Sequence, residues 1–310
     1  MKEFQKILAI FDTEERDAMA LNLASQLARN SGGQLTVVHV IPPLPSEIPE
    51  GISGLEDLKA TMVHAAEATL GKAVGRLDKA GVPVRTQVCW GHTAMEVSRL
   101  VMTSGYDLVV KGTGRRKRLS GQLLGSVDMR LLRKCPCPVW LIKPDGHDYV
   151  RNVLAAVDPI SSDGEHERLN ELILRLGISL AEMEDAEFHA LYAFSPWGES
   201  LLRSRLRSEQ YHEYEKQLRA RAAKAMTNLL RPFEEEVPQL NRHLLEGDPE
   251  DVVPEFVRTR EVDVVVMGTV GRTGIPGFLI GNTAEKILAD VECSVLAVKP
   301  EGFKSPVEVE

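Results

Sequence analysis

Asp107-Leu108-Val109-Val110-Lys111-Gly112-Thr113 returns 156 positions later as Asp263-Val264-Val265-Val266-Met267-Gly268-Thr269. The correspondence runs without a gap from Trp90-Gly91 and Glu246-Gly247 to Lys143-Pro144 and Lys299-Pro300. Inside it, Leu123-Leu124-Gly125-Ser126 matches Leu279-Ile280-Gly281-Asn282, and Cys137-Pro138-Val139-Trp140 matches Cys293-Ser294-Val295-Leu296. The starts of the halves also correspond: Ile7-Leu8-Ala9-Ile10-Phe11-Asp12 matches Val153-Leu154-Ala155-Ala156-Val157-Asp158, at an offset of 146. The second half therefore carries about ten extra residues between its first and third strands, expected within the charged, amphipathic stretch Ser195–Pro232. A repeat this long is a domain duplication, not a solenoid unit of 20–50 residues. The polar turn Asp145-Gly146-His147-Asp148 is the expected junction, giving domains over 1–145 and 151–310.

Within each half, strand and helix signals alternate. Ile7–Phe11 is a short apolar run of the kind buried on both faces of a sheet. Asp17–Arg29 carries Ala18, Leu21, Leu23, Ala24, Leu27 and Ala28 at helical spacing, and Gly32-Gly33 ends that helix. Leu35–Ile41 is a strand, closed by the breaker Pro42-Pro43-Leu44-Pro45. A long helix is expected over Leu55–Ala80, a strand over Val84–Val88 and a helix over Ala94–Thr103. Leu108–Lys111, Gln122–Arg133 and Val139–Ile142 complete a β-α-β-α-β-α-β-α-β series, and the second half repeats it. The fold class is α/β: two doubly wound, parallel, five-stranded sheets in tandem, Rossmann-like, with helices on both faces.

Composition narrows the function classes. A net charge of −8 gives the chain no global attraction to nucleic acid or anionic membrane, so neither DNA nor a membrane is an expected partner. No apolar run approaches the ~18 residues of a membrane span. Met1-Lys2-Glu3-Phe4-Gln5-Lys6 lacks the apolar stretch of a secretory signal, which makes the expected location cytoplasmic. Four cysteines in 310 residues read as reduced thiols; Cys135 and Cys137 have no second Cys or His pair at zinc-finger spacing, and no metal site is expected.

In a doubly wound sheet a ligand sits beyond the carboxyl ends of the strands, where strand order reverses. The first strands end in Asp12 and Asp158, and the fourth strands run into Gly112-Thr113 and Gly268-Thr269. In the second half the chain continues through Gly271, Arg272, Gly274 and Gly277 to Gly281-Asn282-Thr283 and the helix Thr283–Asp290. Such a loop lets amide groups approach phosphate oxygens, and the helix start adds free N–H donors and a favourable dipole. Asn282 or Thr283 is the expected helix cap in the empty state, and Arg272 supplies charge. The glycines equally serve a tight turn that packs helix on strand, and Asp12 and Asp158 equally serve as caps of the turns after them or as acceptors for a ligand base or ribose. The dinucleotide fingerprint is absent, because no Gly-x-Gly-x-x-Gly follows either first strand. The phosphate loop of Gly-x-x-x-x-Gly-Lys-Ser/Thr type is absent too.

Gly268-x-x-Gly271, nine residues and Gly281-Asn282 resemble the hallmark of the universal stress protein family, Gly-x-x-Gly, nine residues, Gly-Ser/Thr. Asn282 departs from the usual hydroxyl residue, and Thr283 follows it. Gly247-Asp248-Pro249, Val265-Val266-Met267-Gly268, the run Cys293–Lys299, the Asp ends of the first strands and the tail Lys304-Ser305-Pro306-Val307-Glu308 are similar to tandem members of the family. The resemblance implies an adenine nucleotide alpha hydrolase-like fold and a stress-response regulator that binds ATP, ADP or AMP, with or without Mg. It places Ala156, Val157 and Asp158 at the adenosine, the backbone near Ala193 at the adenine, and Met267, Gly268, Gly271, Gly281, Asn282 and Thr283 at the phosphates.

The first half offers a weaker version through Asp12, Gly112, Gly125 and Ser126. There Arg115 stands in place of the second glycine, and Arg115-Arg116-Lys117-Arg118 is either an anion site of another kind or a solvated loop. Val139–Ile142 and Val295–Val298 are expected to pair within one chain and close two sheet edges, and a homodimer is left open. No Ser-His-Asp order or paired Asp stands out among the eight histidines and the acidic residues, so no catalytic residue is assigned. The competing readings are a slow ATP hydrolase of the same superfamily and a ligand-free scaffold docking through Leu201–Leu230.

Overall fold

The apolar runs become strands, and all ten strands join in one sheet of order β3-β2-β1-β4-β5-β10-β9-β6-β7-β8. The structure, a computed structural model, describes residues 3–48, 53–77, 82–114, 124–143, 149–160, 164–196, 198, 202, 204–234, 237, 240–269 and 280–308. The first half comprises β1 (Lys6–Ile10), α1 (Glu14–Ser31), β2 (Gln34–Ile41), α2 (Leu55–Leu77), β3 (Val84–Trp90), α3 (Thr93–Ser104), β4 (Leu108–Gly112), α4 (Ser126–Lys134) and β5 (Val139–Ile142). The second comprises β6 (Asn152–Ala156), α5 (Gly164–Glu184), β7 (Glu187–Phe194), α6 (Ser208–Leu230), β8 (Asn241–Glu246), α7 (Pro249–Thr259), β9 (Val264–Gly268), α8 (Asn282–Asp290) and β10 (Ser294–Val298).

Every residue of β4, β5 and β10 is buried, whereas edge strands β3 and β8 contain none that is fully buried. The period-2 pleat sends alternate side chains into two apolar layers. Ile7, Ala9, Trp140, Ile142, Leu296 and Val298 pack under α1, α2, α5 and α6. Leu8, Ile10, Val139, Leu141, Val295 and Ala297 pack under α3, α4, α7 and α8. Each layer runs through both halves, so the duplicated domains share their cores.

Neighbouring strands are parallel except at the join, where β5 and β10 run antiparallel with Leu141 opposite Val295, Trp140 opposite Leu296 and Val139 opposite Ala297. Trp140 and Leu296 are equivalent under the 156-residue offset, so the pairing has approximate twofold symmetry about that contact. Lys143 and its equivalent Lys299 extend the symmetry. Lys143 Nζ donates to the carbonyl of Glu292 just beyond α8, and Lys299 Nζ to that of Leu132 in the last turn of α4. A cation on the carbonyl end of a helix is favourably placed. Burial pushes the Lys299 ammonium down to about 8. The C-terminal segment then crosses onto the first half: Ser305 Oγ donates to Lys134 O at 2.7 Å, and Val307 is buried.

One expectation fails. Helices α2 and α6 are equivalent and each spans 23 residues. The offset is 146 between the starts of β1 and β6 (Lys6, Asn152), but 153 between those of β2 and β7 (Gln34, Glu187) and of α2 and α6 (Leu55, Ser208). It reaches 156 at β4 and β9 (Leu108, Val264). Most of the extra length therefore lies in the β6–α5 connection and in α5, and the rest after α6, not in the charged helix itself. That helix covers the sheet with Ala222, Met226 and Leu230. No helix among the described residues is long and apolar enough to cross a membrane.

Helices α1 and α5 meet across the join. Gln26 Nε2 donates to Glu184 Oε2 at 2.9 Å, Asn30 Nδ2 to Met183 O at 2.9 Å, and Ser179 Oγ to Glu3 Oε2 at 2.9 Å. Burial raises the Glu184 carboxyl to about 7, against a weaker pull from Arg29. A carboxyl raised in the fold stabilises the fold when protonated; that contribution is complete below about 4.5 and is lost as pH rises through about 7. Glu184→Gln should therefore match the parent near pH 4.5 and exceed it at pH 8 by about 1 kcal/mol, after allowance for solvent screening. Thermal melts of both proteins across that range check this, and equal melting curves at pH 8 would refute it.

Candidate functional site

Chain order reverses between β9 and β6 in the second half and between β4 and β1 in the first, and the strand ends at such reversals are where doubly wound sheets place a ligand crevice. Ala156 pairs with Met267 in the β6–β9 register, so the ends of these strands stand side by side. Val157 and Met267 are buried, and Asp158 and Gly268 follow them half-buried. Ala193 lies buried near the end of β7, opposite Leu245 on β8. Gly271 and Arg272 lie outside the described residues.

The start of α8 is tied to the end of β9. Gly281 N donates to Thr269 O at 2.9 Å, and Gly281 is the residue that caps α8, without a side-chain bond. Neither Asn282 nor Thr283 is the cap, contrary to expectation. Both belong to the first turn and are exposed. Capping by a glycine backbone leaves the first-turn amides without a side-chain acceptor. Gly268 has a packing role: a Cβ there would meet Leu169 Cδ2 at 2.9 Å and Ile173 Cδ1 at 3.6 Å. Its small size lets α5 lie close against β9, so the helix-on-strand reading holds for this glycine.

The loops after the first strands are held by residues that sequence reasoning passed over. Asn170, buried on α5, accepts from Asp158 N through Oδ1 at 3.0 Å and donates from Nδ2 to Asp158 O at 2.8 Å. Its equivalent Asp17, buried on α1, accepts through Oδ2 from Asp12 N at 2.7 Å and Thr13 N at 3.0 Å. Burial raises the Asp17 carboxyl to about 6. The only sequence signal was a polar residue on an apolar helix face. The cap of α1 is Thr13 rather than Asp12, again without a side-chain bond.

The same crevice in the first half is differently built. Gly112 ends β4 buried, Gly125 caps α4, and Ser126 is exposed in its first turn. Lys111 Nζ lies 2.8 Å from Asp128 Oδ1, both side chains 3% exposed, and also donates to Gly112 O at 2.9 Å. Asp128 Oδ2 in turn accepts from Gly125 N at 2.7 Å. Arg115 and the basic run after it lie outside the described residues. A separate cleft of about 380 Å³ opens between the start of α3, at His92–Met95, and Val127, Arg130 and Lys134 of α4. None of the predicted site residues lines it.

His39 Nδ1 lies 2.7 Å from Phe11 O, and His92 is the capping residue of α3. His189 on β7 and His243 on β8 share a contact of 3.2 Å, and burial holds both below the usual imidazole range, His243 at about 4. Among the described residues, no group of three or more His, Cys, Asp or Glu side chains is placed to hold a metal ion.

With this geometry in place, comparison with known proteins is decisive for the family. The model of the universal stress protein family matches residues 3–143 and again 150–299. The chain belongs to the universal stress protein family. It is 30% identical over 314 residues to universal stress protein E of Escherichia coli strain K12, covering 100% of this chain and 98% of the relative. The homologous protein of Photorhabdus laumondii is 28% identical, covering 99% of each. Among solved structures, a putative universal stress protein from Pseudomonas aeruginosa UCBPP-PA14 superposes with a TM-score of 0.70 at 25% identity, covering 97% of this chain and 95% of that one. One from Archaeoglobus fulgidus DSM 4304 superposes with a TM-score of 0.67 at 17% identity, covering 96% and 98% respectively, which speaks to the fold alone.

The clamp on the Asp158 loop makes a direct prediction. Asn170→Ala removes both bonds to a part-buried backbone and should lower stability by about 1–3 kcal/mol. Chemical denaturation measures this; a change below about 0.5 kcal/mol would mean the loop holds itself.

Proposed function

We propose that this universal stress protein is a stress-response regulator that binds an adenine nucleotide, ATP, ADP or AMP, in its second half, dividing at 1–145 and 151–310. The observation that carries this is the start of α8. Its first turn lacks a side-chain cap, Asn282 and Thr283 are exposed, its one acidic residue, Glu285, is exposed and turned to Arg133 of α4 at 3.3 Å, and it stands beside the strand ends at the reversal of chain order. The third helical position is Ala284, which adds no charge.

Amides and dipole at such a turn favour an anion by about 0.3–1 kcal/mol when exposed and up to ~2 kcal/mol when partly buried. Phosphates there would be held by Gly281, Asn282 and Thr283, with Met267, Gly268, Gly271 and Arg272 completing the loop. Asp158, oriented by Asn170, suits the ribose, and Ala156, Val157 and the backbone at Ala193 suit the adenosine side. Mg would accompany the triphosphate only. The role is regulatory binding in the absence of an assigned nucleophile or base; sustained, Mg-dependent phosphate release from purified protein would point instead to an enzyme.

Titration of the full chain with ATP tests the reading. Gly271→Leu should abolish binding, at least a hundredfold in affinity, while Gly114→Leu should leave it within about threefold. Equal losses in the two variants would defeat the assignment to the second half. Mass spectrometry of the purified protein provides an independent check, with copurified adenine nucleotide as the expected result.

A further inference from the structure

We propose that the buried Lys111–Asp128 ion pair is an internal substitute for a bound anion, which closes the first half to phosphate and leaves the tandem chain with one open site. This rests on the nucleotide reading of the second half and supplies the cause of its one-sidedness.

The argument begins with equivalence. Under the 156-residue offset, Lys111 corresponds to Met267, Asp128 to Ala284 and Gly125 to Gly281. Two charged positions in one half are thus two neutral ones in the other. They are not surface charges: each side chain is 3% exposed, and the pair closes at 2.8 Å.

Next comes place. Asp128 stands at the third position of α4, and its Oδ2 takes the Gly125 amide at 2.7 Å. The equivalent Gly281 amide in the second half goes to the Thr269 carbonyl, and among the described residues no side chain caps the helix start. A carboxylate at a helix start already uses the dipole that would favour an external anion. It also repels a second negative charge a few ångströms away, strongly so where water is excluded. Lys111 reduces that repulsion but offers a phosphate no donor, because its ammonium is bonded to Asp128 and to the Gly112 carbonyl. Lys111 stands opposite Ile10, the last residue of β1, and Asp128 lies in the first turn of α4. The pair therefore bridges the end of β1 and the start of α4.

Finally, the pair persists as a unit. Removing one member strands a buried charge, whereas neutralising both does not. The second half shows the neutral solution at the same positions.

The experiment starts from a full-chain parent carrying Arg115→Gly, which matches the second half at Gly271, converts it to the double variant Lys111→Met, Asp128→Ala, and measures bound equivalents of ATP and AMP by calorimetry beside that parent. One additional equivalent per chain is expected. Each single variant should melt well below the double, and Lys111→Met, which keeps the carboxylate at the helix start, should gain no site. Adding Gly271→Leu to the double variant should leave the new equivalent in place and remove the original one. The second neutral variant, Lys111→Met with Asp128→Asn, keeps an acceptor for the Gly125 amide and should gain the site as well. The parent value, one or zero, judges the reading of the second half. The increment judges the closure: a folded neutral variant that binds no more nucleotide than its parent overturns the proposal, whichever value the parent shows.

Discussion

The antiparallel contact between β5 and β10 sets the arrangement of everything else. Each half alone would end in an apolar strand with an open row of amides and carbonyls, a template for association with other chains. Pairing Val139–Leu141 with Val295–Ala297 satisfies both rows at once. Because Trp140 meets its own equivalent Leu296, the symmetry operation is a twofold running through the sheet. This brings α1 and α5 onto one face, where Gln26 reaches Glu184, and α4 and α8 onto the other, where Arg133 reaches Glu285 at 3.3 Å. It also points the strand carboxyl ends of the two halves in opposite directions. The two crevices are four strand spacings apart, roughly 20 Å along the sheet, and they open at opposite rims.

Much of this was legible in the chain because burial on both faces writes a simple code. Val109-Val110 and Val264-Val265-Val266 can only be central strands, and the repeat doubles every such signal. The pairing of the fifth strands was legible for the same reason, since Val139–Ile142 has no polar residue to face water. The extra residues were misplaced because charge drew attention to Ser195–Pro232, while the added turn of α5 continues an apolar stripe without interruption. Length inside a regular helix leaves no punctuation to read.

The strand ends and glycines of the candidate site were legible as turns, but its clamps were not. A glycine after a strand announces a turn, yet sequence spacing does not separate an amide left for a ligand from room made for Leu169. Likewise Asp17 and Asn170 appear as ordinary polar residues near a helix start. Their meaning emerges only when the fold brings them 12 residues back to Asp158 in one case and 5 back to Asp12 in the other. Lys111 was hidden by its setting in a strand of Leu and Val, where a lysine reads as an edge residue until its partner Asp128 is seen. Capping was misjudged because Asn and Thr are strong caps by preference, whereas here the chain enters α8 through Gly281 bonded to Thr269.

Duplication explains how such asymmetry is tolerated. The structural demands on the first half are a closed edge, two apolar layers and a carbonyl end for Lys299, all of which lie at the sheet join and in the core. The strand ends at the reversal of chain order lie at the rim and contribute little to any of them. A buried charge pair is accommodated there without disturbing Trp140, Leu141 or the α1–α5 contact, since Asp128 closes the start of its own helix through the Gly125 amide. The second half keeps Met267 and Ala284 at those positions and so keeps its helix start free of internal charge. One scaffold thus meets two demands that a single domain would have to reconcile: a rigid partner for the sheet edge, and a helix start capped by backbone alone.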